Sequence, residues 1–177
     1  MLCRLQILRH AKSDWSQSLD DFERPLNRRG EEAISLMGKW LKENGDFPKT
    51  VYSSPAQRAK QTVWGIVSYI NYSVDDINWE SELYLASLEK LVSLLFEWLK
   101  PQETIMLVGH NPGLENLVHY LSGDAESDNR EFPTAAFACF EIDLPNFVFD
   151  ATFNRSDWSR ILCSSGTLVA YNYPKNL

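Results

Sequence analysis

The chain has 177 residues, 44% hydrophobic and 12% aromatic, which is enough apolar mass for one globular domain around a sizeable core. Its formal net charge of −7 gives no general attraction to nucleic acid or to an anionic membrane, and no apolar stretch reaches the roughly 18 residues of a membrane span. The three cysteines, Cys3, Cys139 and Cys163, are widely spaced and form no CxxC, so neither a disulfide framework nor a zinc knuckle is indicated, and a soluble cytoplasmic protein is expected.

Residues 5–8 form a short apolar run that reads as a buried parallel strand. After a polar loop, Asn27 can cap a helix to about residue 43, with Ile34, Met37 and Leu41 as its apolar stripe and Gly45 as its stop. Residues 50–53 follow as a strand. Ser54-Pro55 reads as an N-cap with proline at the first helical position, opening a helix that carries Ala59, Val63, Ile66 and Ile70. Ser87 caps a further helix through Leu99, closed by Pro101, with Phe96, Trp98 and Leu99 as core. The strand at 105–108 leads to Asn111-Pro112, again a cap-and-proline signature, and to a helix through Leu121 that Gly123 ends.

From Thr134 the texture becomes alternating, with Ala136, Ala138, Phe140 and Ile142 on one face, and residues 166–171 read as a last strand. The aromatic-rich stretch at 144–165 carries no pattern that assigns it. Alternating strands and helices predict a three-layer α/β/α sandwich around a mostly parallel sheet, in a single domain spanning 1–177.

Both apolar runs end in a histidine, as Leu8-Arg9-His10 and Val108-Gly109-His110. In open α/β sheets, ligands bind beyond the carboxyl ends of the strands, so the two imidazoles and the Arg9 guanidinium are expected in one pocket. Arg58, in the first turn of its helix, adds a second forked donor beside a helix N-terminus that already favours anions. The stretch from Arg4 to Arg29 holds six basic residues against four acidic ones, concentrating positive charge beside His10. Such a site suits a phosphate dianion. With no metal-ligand cluster, phosphoryl transfer through a histidine nucleophile is the chemistry it fits.

The runs L-R-H-A (8–11), S-S-P-A-Q-R-A-x-Q-T (53–62) and G-H-N-P-G (109–113) resemble the histidine phosphatase superfamily. The longer R-H-A-K-S-D-W (9–15) and F-E-R-P-L-N (22–27) are similar to its small branch, the SixA-type phosphohistidine phosphatases. The resemblance implies a phosphoglycerate-mutase-like fold, with His10 as the phosphorylated nucleophile and Arg9, Arg58, His110 and Arg24 as the phosphoryl clamp. Ser13 and Asn111 are further substrate-binding candidates. Glu82 falls where the superfamily often places its proton donor, with Asp14 and Asp21 as rivals.

The implied enzyme needs no cofactor or metal. Its partner is a phosphorylated protein carrying phosphohistidine, or else a small phosphoester, and its product is inorganic phosphate. Ala11 departs from the usual glycine after the histidine. The segment at 71–86 is also too short for the lid that covers small substrates elsewhere in the superfamily, which favours a protein substrate.

Other readings are a non-catalytic phosphate-binding module and a metallohydrolase using His10, His110 and Asp14, which lacks an HExxH or a carboxylate cluster. Cys3 and Arg9 also match the C-x5-R spacing of cysteine phosphatases, but the residues between them are strand-like rather than a glycine-rich loop. His119 reads as structural, and Arg28 and Arg29 as a solvated helix face.

Overall fold

A computed structural model of the chain describes residues 1–45, 47–123, 131–150, 153–163 and 165–177. Strands β1 (Leu2–Arg9), β2 (Thr50–Ser53), β3 (Ile77–Trp79), β4 (Thr104–Gly109), β5 (Phe137–Asp143) and β6 (Gly166–Asn172) form one sheet in the order β3-β2-β4-β1-β5-β6. The pairings β3-β2, β2-β4 and β4-β1 are parallel, whereas β5 runs antiparallel to both β1 and β6. The expected mostly parallel sheet is therefore present, with one reversed strand near its edge.

Helices α1 (Arg28–Asn44) and α2 (Gln57–Val67) cover one face of the sheet, and α3 (Leu88–Trp98), α4 (Gly113–Ser122) and α5 (Trp158–Leu162) cover the other. The two-residue period of a strand sorts side chains between the layers. Leu5, Ile7, Ile105, Leu107, Ala138 and Phe140 pack under α3 and α4, while Leu8, Met106, Val108, Phe137 and Cys139 pack under α1 and α2. Burial on both faces explains why β1 and β4 read as unbroken apolar runs.

The caps at Asn27 and Ser87 form as expected, each side chain accepting a backbone N–H of its helix, and Gly123 ends α4 in the left-handed conformation. The two cap-and-proline readings do not hold. Helix α2 begins at Gln57, two residues late; the Ser54 hydroxyl meets His110 Nε2 (2.8 Å) and accepts the Ala56 N–H (3.4 Å) ahead of the helix. Helix α4 begins at Gly113 after a cis Asn111-Pro112 bond, and the Asn111 amide bonds Glu115 and the Phe132 carbonyl instead of capping. Strand β3 adds to the strands expected from sequence. The unassigned 144–165 stretch contributes α5, whose Trp158 indole donates to the Val92 carbonyl (2.8 Å) and so ties it to α3.

The chain leaves β1 toward one edge of the sheet and leaves β4 toward the other, so the connections part between these adjacent strands. Their register pairs Leu8 with Val108 and Arg9 with Gly109. Both strands therefore end side by side at a topological switch point, where open α/β sheets form their crevices.

Candidate active site

His10 and His110 follow directly from the paired ends of β1 and β4, and their rings lie 5.0 Å apart. His10 Nδ1 meets the carbonyl oxygen of Ala11 at 2.7 Å. A carbonyl can only accept, so Nδ1 carries the proton and Nε2 keeps its lone pair. Burial, reinforced by Arg58 and Arg9, lowers the His10 pKa from 6.5 to about 4; the Ala11 hydrogen bond opposes the shift. Burial, His10 and Arg58 bring His110 to about 3. Both imidazoles are neutral near pH 7.

The guanidinium of Arg58 comes from the second residue of α2, and its Nε reaches His10 Nε2 at 3.4 Å. Thr62, one turn on, donates to the Arg58 carbonyl (2.7 Å) and accepts from Ala11 N–H (2.9 Å), locking the helix onto the loop after β1. Gly30 does the same for α1: a Cβ there would lie 2.3 Å from the Lys12 carbonyl oxygen. That close approach holds the loop carrying Lys12 and Ser13 against the helix start.

Arg9 donates to the Phe132 carbonyl (2.7 Å), and burial lowers its pKa. Arg24, buried in the same loop, has Trp15 beneath its guanidinium at 3.4 Å.

The pocket formed in this way has a volume of about 330 Å³, and its lining includes Arg9, His10, Ser13, Arg24, Arg58, His110 and Asn111. All the residues expected there are brought together except Glu82. That carboxylate pairs with Lys90 outside the lining, at the start of α3, and Asp14 is likewise spent on Ser16. Cys3 stands at the opposite end of β1, six residues or about 20 Å from Arg9 at the usual strand rise. No cysteine–arginine loop is formed by these residues. Among the described residues there is no group of three His, Cys, Asp or Glu side chains able to hold a metal ion.

Asp21 lines the pocket in a different role from an acid. Its carboxylate accepts from the Tyr84 hydroxyl (2.6 Å) and pairs with both Arg58 (2.9 Å) and Arg24. The Tyr84 bond first, then the two arginines, hold its pKa well below the usual carboxylate range. A carboxyl so strongly ionised is a poor proton donor and a good brace for the guanidinium pair. Local spacing carries no signal for this, because Asp21 reaches Arg58 across 37 residues and Tyr84 across 63.

Tyr84 also sets its ring edge-on to His110 at 5.5 Å. The short 71–86 segment thus supplies Tyr84 to the site and Leu85 to the pocket wall.

Four buried nitrogens in this cluster have no hydrogen-bond partner among the described residues: Arg9 Nε, Arg24 Nε and Nη1, and His110 Nδ1. Buried polar atoms are almost always satisfied, so a group of unpartnered guanidinium donors in one pocket suits an acceptor-rich ligand. An oxyanion would satisfy them, and Arg58 adds its own fork at the mouth of the helix dipole.

The family model of the histidine phosphatase superfamily (branch 1) matches residues 5–91. An uncharacterized chloroplastic protein of Arabidopsis thaliana is 31% identical over 129 residues, 68% of this chain; the chain spans 59% of that relative's length. An uncharacterized protein of Mycobacterium tuberculosis is 25% identical over 177 residues, covering 95% of this chain and 100% of the relative.

Among solved structures, a SixA protein histidine phosphatase complexed with tungstate superposes with a TM-score of 0.72 at 22% identity, covering 98% of each chain. The putative SixA phosphohistidine phosphatase of Agrobacterium tumefaciens gives 0.74 at 24% identity over 97% of this chain and 98% of that one. A mycobacterial glucosyl-3-phosphoglycerate phosphatase gives 0.64 at 13% identity over 98% of this chain and 100% of that one. At these identities the superpositions establish a shared fold.

Proposed function

The chain belongs to the histidine phosphatase superfamily, and from that premise we propose that it is a phosphatase working through a phosphohistidine on His10, with protein phosphohistidine as its substrate. The observation that carries this is the set of unpartnered donors around a neutral His10 whose Nε2 keeps its lone pair.

In the first half-reaction, His10 Nε2 attacks phosphorus, forming an N–P bond as the bond to the leaving group breaks. The ring then bears positive charge, shared through Nδ1–H with the Ala11 carbonyl. Arg9, Arg24 and Arg58 neutralise the equatorial oxygens, where charge stabilisation is worth most. Neutral His110, held by Ser54, offers a further hydrogen bond to the phosphoryl group, and Ser13 and Asn111 shape the wall. In the second half-reaction water attacks phosphorus, the N–P bond breaks back onto His10, and phosphate departs with the surplus proton lost to solvent.

The leaving group decides the substrate class. An alkoxide needs a proton, and the carboxylates nearest by sequence are remote (Glu82, Asp14) or strongly ionised (Asp21). An imidazole leaves readily and protonates near neutral pH without such help. We therefore assign the site to phosphohistidine, acting without a metal. The test is a panel assayed in EDTA: a histidine-phosphorylated protein, a phosphoserine peptide and several sugar phosphates. The phosphohistidine protein should lead in kcat/KM, and strong selective turnover of one sugar phosphate would overturn the assignment.

A further inference from the structure

A second depression, about 460 Å³, adjoins the active-site pocket and shares Lys12 and Thr134 with it. Three cations face it: Lys12 from the loop after β1, Arg29 from the first turn of α1, and Lys175 from the C-terminal turn. Glu131 is the one carboxylate among its described lining residues. Its apolar wall comes from Tyr171 and Tyr173, whose rings lie 5.8 Å apart, with the Tyr171 hydroxyl donating to the Glu131 carbonyl. On a chain of net charge −7, this local excess of positive charge beside the catalytic pocket runs against the overall balance. The mechanism uses neither Arg29 nor Lys175.

The pocket mouth carries a different surface. Trp15 is 75% exposed and Leu85 55% exposed, both lining the pocket. A site built to enclose a small molecule would bury such side chains around it, whereas exposed large apolar groups beside a charged depression are the anatomy of a protein contact.

We infer that the depression is a docking subsite for an acidic segment flanking the phosphohistidine of a protein substrate: carboxylates meet Arg29, Lys175 and Lys12, and the chain packs on Tyr171 and Tyr173. This rests on the phosphohistidine assignment and adds to it the sequence preference of the substrate. Charge pairs at a rim act chiefly on encounter and orientation, so they tune KM rather than the chemical step.

The test uses two synthetic histidine-phosphorylated peptides, one with glutamates and one with serines on both sides of the phosphohistidine, and free phosphohistidine as a third substrate. The glutamate peptide should exceed the serine peptide about tenfold in kcat/KM, mostly through KM, and about 0.5 M salt should shrink the gap. In the double variant Arg29→Glu, Lys175→Glu, the two peptides should converge while free phosphohistidine keeps its wild-type rate. Because both substituted residues are exposed, that unchanged rate also verifies folding.

Equal rates for the two peptides, or a preference that survives the double variant, would overturn the subsite. If no phosphohistidine substrate turns over while phosphoserine is hydrolysed, the failure lies with the phosphohistidine assignment. The same flanks on phosphoserine peptides then read the subsite independently.

Discussion

Replacing Asp21 by asparagine should tighten phosphate binding. In the structure the Asp21 carboxylate lies 2.9 Å from Arg58 Nη2 and also pairs with Arg24, the two guanidinium groups an incoming phosphoryl dianion needs. Since Asp21 is 44% exposed, a water-like dielectric is the appropriate choice. With the dianion on the far side of the guanidinium plane, Coulomb's law for charges of −1 and −2 at about 6 Å gives a repulsion of about 1.4 kcal/mol, or about tenfold in affinity. The substituted amide would keep an acceptor oxygen for one arginine and leave Tyr84 in place. Competitive inhibition by inorganic phosphate, measured with an aryl phosphate substrate at low and moderate salt, reads the effect directly. The inhibition constant should fall about tenfold, and KM with it. An inhibition constant that rises tenfold would mean that Asp21 aims the arginines more than it repels the ligand, and the reasoning would fail.

Arg58→Ala should lose about 10²–10³ in kcat/KM, and Arg58→Lys should recover little, since an ammonium cannot reproduce a fork braced by Asp21 while reaching His10; steady-state kinetics on both variants decide it. Because burial holds His10 near 4, the acid limb of kcat/KM for a stable aryl phosphate should lie near pH 4 rather than 6.5. The same depressed values imply that unfolded His10 and His110 take up protons below pH 6.5 that the folded protein refuses. Stability should therefore fall between pH 6.5 and 4, visible as a dropping Tm. Glu82→Gln should leave turnover within about twofold, because a half-exposed ion pair with Lys90 contributes little; a large loss would return Glu82 to the site.

The parts of the fold legible in sequence are those with strong local causes. β1 and β4 announce themselves because both faces are buried, and the starts of α1 and α3 because a capping oxygen at Asn27 or Ser87 is followed by an apolar period of helical spacing. Strand β3 escapes because it has three residues at the sheet edge, with only Ile77 buried.

Ser54 and Asn111 mislead for one reason. Each has the right local context for a cap, but its side chain also meets a group distant in the chain, His110 for Ser54 and the Phe132 carbonyl for Asn111, whose amide bonds Glu115 as well. In the site, residues at strand ends can be placed by topology, which is why Arg9, His10 and His110 converge as expected. Asp21, Tyr84 and Thr62 cannot, since their roles are fixed by contacts between segments distant in the chain. Glu82 shows the converse: position along the sequence locates the right segment, yet it is Tyr84 and Leu85 from that segment that reach the site.

The central claim is that His10 Nε2 becomes covalently phosphorylated. Rapid acid-free quenching during turnover, followed by alkaline peptide mapping, should find an acid-labile, base-stable phosphate on the peptide containing His10. His10→Ala should abolish both the label and turnover, while His110→Ala should slow turnover and still accumulate label. Label that persists in His10→Ala, or hydrolysis by wild-type protein with no phosphohistidine under conditions that trap it, would contradict the account.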